Sequence, residues 1–118
     1  MEFKTPIQRI VSFGTPSITI SKTTKYANFY FNKAFTEKYR LSETSKIAIS
    51  LREGDIFIII NPTINIPTYT ISKMGKAYYI SNKELVSSIL GEENIKLSFN
   101  IIQVENYLNN NLYKLIKI

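Results

Sequence analysis

One stretch of strand and helix signals occurs twice in the chain, and this repeat limits the fold more than any other feature. Residues 68–90 have the pattern strand, glycine-containing turn, strand and short amphipathic helix. The tripeptide Ile-Ser-Lys at residues 20–22 recurs at 71–73, and Asn-Lys at 32–33 recurs at 82–83. Matches at a nearly constant spacing indicate duplicated structural units. We therefore expect two similar units that face each other around one core.

Each unit carries signals for four strands and one helix. Apolar and polar residues alternate at 18–21, 46–51 and 111–118, as in half-buried strands. Asn32 and Asn82 each precede a helical pattern and are predicted to be helix N-caps. The sequence thus predicts an α+β, mostly β fold, with antiparallel sheets of about eight strands and two short helices as two ββαββ units. The alternative is an OB-fold β-barrel with one helix.

These units divide one domain of 118 residues. Residues 1–17 are predicted to be an N-terminal arm, 18–60 the first unit, 61–67 a proline-containing joint and 68–118 the second unit. Residues 105–111 read as a polar loop. The last strand, 111–118, reads as an apolar sheet edge with only two lysines, which predicts pairing with an identical chain in a homo-dimer or higher homo-oligomer.

The composition argues against several classes of protein. The chain has no cysteine and no histidine, so it lacks disulfides, thiolate sites and the commonest general base and metal ligand. No phosphate-binding loop or dinucleotide motif occurs. We expect no enzyme activity, no metal and no cofactor. Neither a signal-peptide pattern nor an apolar run of membrane-spanning length is present, so we expect a cytoplasmic protein without a membrane partner.

The distribution of charge indicates a polyanionic partner. The formal net charge is +6, and neither residues 3–36 nor residues 56–83 contain an acidic residue. Each of these acid-free segments includes one copy of the repeated hairpin. The two hairpins are therefore predicted to form a shared basic face.

Aromatic residues accompany the lysines of this predicted face. A surface that binds single-stranded nucleic acid needs cations for the phosphates and aromatic rings on which bases stack. Strand alternation turns Tyr30 away from Phe29 and Phe31, and turns Tyr79 away from Tyr78. The competing interpretation is that the rings are core and the lysines only solvated. The predicted binding residues are Lys22, Lys25, Tyr26, Tyr30, Lys33, Lys73, Lys76, Tyr78, Tyr79 and Lys83.

Two family resemblances bear on the partner. Gly75-Lys76, Tyr79-Ile80 and residues 82–89 resemble the strand-to-helix passage of the positive-cofactor-four coactivators and their duplicated Whirly relatives. That resemblance implies single-stranded DNA bound on the sheets, with DNA favoured over RNA. The composition, rich in Ile, Asn and Lys, fits a low-GC host or its phage. The expected function is a phage or prophage single-stranded-DNA-binding protein for replication or recombination, located in the host cytoplasm.

The second resemblance implies a different partner. Leu51, Gly54, Asp55 and Ile56 are similar to the turn of AbrB-type looped-hinge domains, although an extra strand separates this turn from the helix. That resemblance implies a dimeric transcriptional regulator that binds double-stranded DNA. A protein-interaction module that binds no nucleic acid is a third possibility that the sequence leaves open.

Overall fold

The computed structural model describes residues 14–91 and 95–118, in which it has nine strands and two helices. The strands are β1 (Ser17–Lys22), β2 (Ala27–Phe31), β3 (Lys46–Arg52), β4 (Asp55–Ile60), β5 (Tyr69–Thr70), β6 (Ser72–Met74), β7 (Ala77–Ser81), β8 (Lys96–Tyr107) and β9 (Asn110–Lys117). The helices are α1 (Lys33–Lys38) and α2 (Lys83–Leu90).

The order of these elements confirms the predicted fold class. The first unit runs β1, β2, α1, β3, β4, and the second runs β5/β6, β7, α2, β8, β9. Only Ile71 separates β5 from β6, so the two short strands are parts of one interrupted strand. The fold is α+β, mostly β, with two ββαββ units and two short helices.

All strands belong to one antiparallel sheet that nearly closes into a barrel. Its order is β5-β3-β4-β9-β8-β1-β2-β7-β6. The strands at the two ends of this order, β5 and β6, are consecutive in the chain. The interrupted strand therefore pairs with β3 through its first part and with β7 through its second part, and joins the two ends of the sheet.

The strand order has a two-fold pattern. Each strand of the first unit has an equivalent in the second unit, namely β1 with β5/β6, β2 with β7, β3 with β8 and β4 with β9. When every strand is replaced by its equivalent, each pair of neighbouring strands becomes another pair of neighbouring strands. Two pairs of equivalent strands are direct neighbours, β2 with β7 and β4 with β9. The two units are thus interleaved in one nearly closed sheet, and neither unit forms a sheet by itself.

Residues of both helices complete the apolar core of the sheet. The inward residues of the strands, such as Ile18, Phe29 and Ile58, form one apolar cluster together with Phe35 of α1 and Val86 of α2. Phe29, Phe35 and Val86 are fully buried. Burial of such side chains is the main stabilising contribution to a domain of this size.

Asparagine caps start both helices, as the repeat predicts. Asn32 Oδ1 accepts a hydrogen bond from Phe35 N, and Asn82 Oδ1 accepts one from Leu85 N, each at 2.8 Å. These bonds satisfy amide groups that the first turn of a helix leaves without a helical partner. At the other end of α2, Gly91 has φ 77°, a left-handed conformation that glycine adopts without strain.

The last hairpin differs from the sequence prediction. The predicted loop at 105–111 is mostly strand, because β8 extends to Tyr107 and a two-residue turn at Leu108 and Asn109 leads into β9. Both turn residues have positive φ, at 49° and 68°. That backbone is typical of the tight turns that match the twist of a hairpin.

The prediction that the final strand is a sheet edge is wrong. β9 lies inside the sheet, between β4 and β8, and pairs with both. Its apolar residues are explained by two strand neighbours rather than by an identical chain. The homo-oligomer was predicted because β9 looked like an unpaired edge, and the structure removes that reason.

Most of the predicted N-terminal arm lies outside the described residues, and Ser17 already belongs to β1. Within the described part of the chain, neither helix has the length and apolar character to cross a membrane.

Candidate nucleic-acid interface

The outward residues of five neighbouring strands form a polar sheet face. Strand register aligns Ser98 of β8, Thr19 of β1, Tyr30 of β2, Tyr79 of β7 and Ser72 of β6 in one row across the strands. The hydroxyl oxygens of Thr19 and Ser98 lie 3.3 Å apart and form a hydrogen bond. We call this surface the β2–β7 face, because those two strands occupy its centre.

Two tyrosines lie side by side at the centre of the β2–β7 face. The ring centroids of Tyr30 and Tyr79 are 5.7 Å apart, and their planes are tilted by 42°. Tyr30 is 37% exposed. Its hydroxyl oxygen accepts a hydrogen bond of 3.0 Å from Asn28 Nδ2, which fixes the ring on the sheet. The two rings offer an aromatic surface of the kind on which unpaired bases stack.

Alternation along β2 sorts its aromatic residues as the sequence predicts. Phe29 and Phe31 are buried in the core, while Tyr30 between them reaches the outer face. Along β7, Tyr78 and Tyr79 likewise point to opposite faces, and Tyr78 packs against the core cluster. The ammonium group of Lys73, the cross-strand partner of Tyr78, lies 5.5 Å from the centre of its ring. The structure therefore separates Tyr78 and Lys73 from the row that contains Tyr30 and Tyr79.

Exposed basic residues lie at one end of the β2–β7 face. The turn from β1 to β2 carries Lys25 and Tyr26, and Tyr26 is 62% exposed. Thr23 shapes this turn, because its hydroxyl oxygen accepts hydrogen bonds from the backbone N–H groups of both residues. The N-cap of α2 is adjacent, since Asn82 N donates to the carbonyl of the first β2 residue at 3.1 Å. Exposed Lys83 follows that cap, so this end gathers Lys25, Tyr26 and Lys83.

A second group of basic residues lies at the other end. Lys76 is exposed in the turn from β6 to β7, next to Gly75 at φ 60°. Phe31, the last β2 residue, pairs with Tyr78 near the start of β7. The end of β2 is therefore beside this turn, and exposed Lys33 begins α1 from there.

The two basic ends lie on opposite sides of the tyrosine pair. β2 and β7 are antiparallel, so the turns that precede them point in opposite directions. Lys25 comes five residues before Tyr30 and Lys76 three residues before Tyr79. At about 3.3 Å per strand residue, the two lysines are roughly 25 Å apart along the face. The described residues of β1, β2, β6 and β7 contain no acidic side chain; Glu37 and Glu84 lie on the helices.

Lys22 is a predicted binding residue that the structure places elsewhere. It is only 7% exposed, and its Nζ donates a hydrogen bond of 2.9 Å to the carbonyl oxygen of Gly91. The ammonium group thus lies at the C-terminal end of α2, where a positive charge is favourable. The sequence already indicated this burial, because Lys22 is two residues after Ile20 and four after Ile18 and therefore points to the same side of β1.

Sequence reasoning did not single out the small polar residues of the face. Thr19, Asn28, Ser72 and Ser98 carry no charge or ring, and each looks like an ordinary strand residue. Their alternation with core residues was the only available signal. Strand register was needed to show that they share one surface.

The described residues contain no group of three or more His, Cys, Asp or Glu side chains able to hold a metal ion. No protein-family model matches the chain, and the searches of curated proteins and of solved structures gave no match.

Proposed function

We propose that the protein binds single-stranded nucleic acid on the β2–β7 face, with DNA favoured over RNA. The observation that carries the proposal is the Tyr30–Tyr79 pair, partly exposed at the centre of a face whose two ends are basic. Bases of a flexible strand stack on aromatic rings while cations hold its phosphates. The span of roughly 25 Å between Lys25 and Lys76 offers a strand contacts at both ends and in the middle.

The mode of binding follows from the residues of the face. Its hydroxyl groups and tyrosine rings can contact any base, and no charged side chain lies in the central row. Binding of this kind is weakly selective for sequence and strongly dependent on salt. We propose a non-catalytic role in phage or prophage DNA replication or recombination, in the host cytoplasm. The composition and net charge of +6 support that role.

The two-fold strand order favours a second candidate, a regulator that binds double-stranded DNA. Proteins with two equivalent halves bind duplex sites whose backbones are related by a two-fold axis. The β2–β7 face has that relation, because equivalent strands meet at its centre. The turn that is similar to AbrB-type domains gives no further support. Gly54 lies between β3 and β4 and Asp55 begins β4, and neither strand is a neighbour of β2 or β7.

Fluorescence anisotropy with labelled oligo-dT and with a duplex of equal length separates the two candidates. We expect tighter binding of oligo-dT, because only unpaired bases reach the tyrosine rings. Each lysine–phosphate contact with a single strand contributes about −0.7 to the slope of log K against log salt. Changing Lys25 and Lys76 together to Ala should therefore lower the magnitude of that slope by about 1.4.

The matched control is the double variant Lys46→Ala/Arg52→Ala, which removes the same charge from β3, outside the β2–β7 face. It should leave the slope nearly unchanged. Tighter binding of the duplex would replace the first candidate with the second. Binding of neither oligonucleotide at low salt would exclude both, and would favour the protein-interaction module that the sequence leaves open.

A further inference from the structure

An exposed methionine lies on the β2–β7 face, at the end that carries Lys76. Met74 is the last residue of β6 and pairs with Ala77 across a two-residue turn. Ser72, two residues before Met74, pairs with Tyr79 and belongs to the central row of the face. Side chains two residues apart point to the same side of a strand, so Met74 lies on the same face as Tyr79.

The side chain of Met74 is within reach of the tyrosine pair. Met74 is the diagonal neighbour of Tyr79 across β6 and β7. Diagonal neighbours in an antiparallel pair are roughly 7–8 Å apart, a separation that long and aromatic side chains bridge. The β7 residue beside both of them on this face is Ala77, which has only a methyl group. The surface of the tyrosine pair therefore continues to Met74 without a large β7 side chain between them.

The surroundings of Met74 are what indicate a function. Met74 is 67% exposed, and a single exposed apolar side chain is ordinary on a protein surface. Here, however, the tyrosine pair lies on one side and exposed Lys76 on the other. No acidic side chain occurs in β6, in β7 or in the turn between them.

The opposite end of the face has a matching pair of groups. Tyr26 is 62% exposed and directly follows exposed Lys25. Each end of the face therefore combines an exposed lysine with an exposed side chain that has apolar surface, and the Tyr30–Tyr79 pair lies between the two ends.

A methionine at this place suits contact with bases of any kind. Its side chain is unbranched and flexible, so it adapts to rings of different size and orientation. Its polarisable sulfur makes favourable contacts with aromatic rings about 5 Å away. Every base of a single strand presents such a ring face.

We propose that Met74 contacts a base of the bound strand beyond Tyr79, next to a phosphate held by Lys76, and that oxidation of the Met74 thioether weakens this binding. The proposal rests on the proposed function, because it adds a contact and its regulation to the same face. Hydrogen peroxide transfers one oxygen atom to Sδ and is reduced to water, while the sulfur is oxidised by two electrons. The resulting sulfoxide is polar, so the apolar contact with the base is lost.

Anisotropy titrations of Met74→Ala and Met74→Leu with oligo-dT measure the contact. Met74→Ala should weaken binding about two- to tenfold, the range expected for one sulfur–aromatic contact. Met74→Leu keeps an apolar side chain of similar volume and should stay within about twofold of the parent. Leu51→Ala removes an exposed apolar side chain from β3, outside the face, and is the control that should leave the affinity nearly unchanged.

An abasic oligonucleotide of the same length shows whether the contact is made with a base. It keeps the sugars and phosphates, so the parent and Met74→Ala should bind it equally well. A loss in Met74→Ala that is as large for the abasic strand as for oligo-dT would overturn the assignment. So would a loss for oligo-dT that is no larger than that of Leu51→Ala.

Carbon-13 labelling of the methionine methyl groups gives a direct signal from the site. The chain has two methionines, Met1 and Met74, and the signal that Met74→Leu removes is that of Met74. We expect this signal to move upfield on saturation with oligo-dT, because the methyl group lies against the face of a base. An unmoved Met74 signal, under conditions in which anisotropy shows binding, would contradict the contact.

Treatment with hydrogen peroxide tests the effect of oxidation. The oxidised parent should bind oligo-dT as weakly as Met74→Ala, while Met74→Leu treated in the same way should keep its affinity. Equal losses in the two proteins, or no loss in a parent whose Met74 is oxidised by mass spectrometry, would overturn the regulation. If the parent does not bind oligo-dT at low salt, the proposed function fails and this inference fails with it. If the parent binds and the Met74 variants match it, only the assignment of Met74 fails.

Discussion

At the scale of single residues, alternation along a strand decides which side chains reach the proposed binding face. Lys22 and Lys25 are close in sequence, but Lys22 continues the inward row of Ile18 and Ile20 and caps a helix. Lys25 lies in the turn and is exposed. The same rule places Tyr30 and Tyr79 outward and Tyr78 towards the core. A residue type alone therefore does not identify a binding residue in this sheet.

The tyrosine pair should supply much of the affinity for a single strand. A base stacked on an aromatic side chain contributes about 1–3 kcal/mol, so Tyr30→Ala and Tyr79→Ala should each weaken oligo-dT binding by about five- to 150-fold. Anisotropy titrations of each variant measure the loss. Thermal unfolding checks that the fold is retained, which we expect because both rings lie on the outer face.

Tyr107→Ala is the control for these variants. Tyr107 is 47% exposed, but it lies in the part of β8 that extends beyond its pairing with β1. Its removal should leave the affinity for oligo-dT nearly unchanged. If Tyr30→Ala lost no more affinity than Tyr107→Ala, base stacking at the centre of the face would be excluded.

At the scale of elements, local patterns predicted most strands, both helices and both caps. The ββαββ order could be read because caps and alternation depend only on nearby residues. The pairings of β2 with β7 and of β4 with β9 could not, because they join distant segments. For the same reason the last strand looked like an edge. The β8–β9 turn was missed because Leu108 and Asn109 adopt positive φ without a glycine.

For the candidate site, too, the sequence predicted individual residues but not their arrangement in space. The lysines and tyrosines of the two hairpins could be chosen from composition and repeat. Their arrangement as a tyrosine pair between two basic ends could not, since it depends on β2 and β7 being antiparallel neighbours.

The two helix caps should differ in their contribution to stability. Asn82 Oδ1 accepts one backbone hydrogen bond within the first turn of α2. Asn32 also joins α1 to the start of β1, because its Oδ1 accepts from Ser17 N and its Nδ2 donates to Thr15 O. Asn82→Ala should lower the free energy of unfolding by about 1 kcal/mol, and Asn32→Ala by about 2 kcal/mol.

Denaturant unfolding of both variants measures this difference. Asn65→Ala, a change at an exposed asparagine in the connection between the units, is the control and should be nearly neutral. A smaller loss for Asn32→Ala than for Asn82→Ala would show that the bonds to residues 15 and 17 contribute little.

At the scale of the whole molecule, two interleaved units produce two distinct surfaces where equivalent strands meet. The β2–β7 surface has a tyrosine pair, hydroxyl groups and basic ends. The outer face of β4 and β9 instead carries an ion pair between Lys114 and Asp55 at 3.4 Å. The same strand arrangement is thus used twice with different side chains. Only the first surface has the chemistry that a flexible polyanion requires.

Amide chemical shifts of the isotope-labelled protein, followed during titration with oligo-dT, test the central proposal most directly. We expect saturable shifts in β2, in β7 and in the turns that carry Lys25 and Lys76, and little change in β3 and β4. Such a map would place the strand on the tyrosine pair and its basic ends. Shifts centred on β3 and β4, or no shifts at low salt, would contradict the proposal.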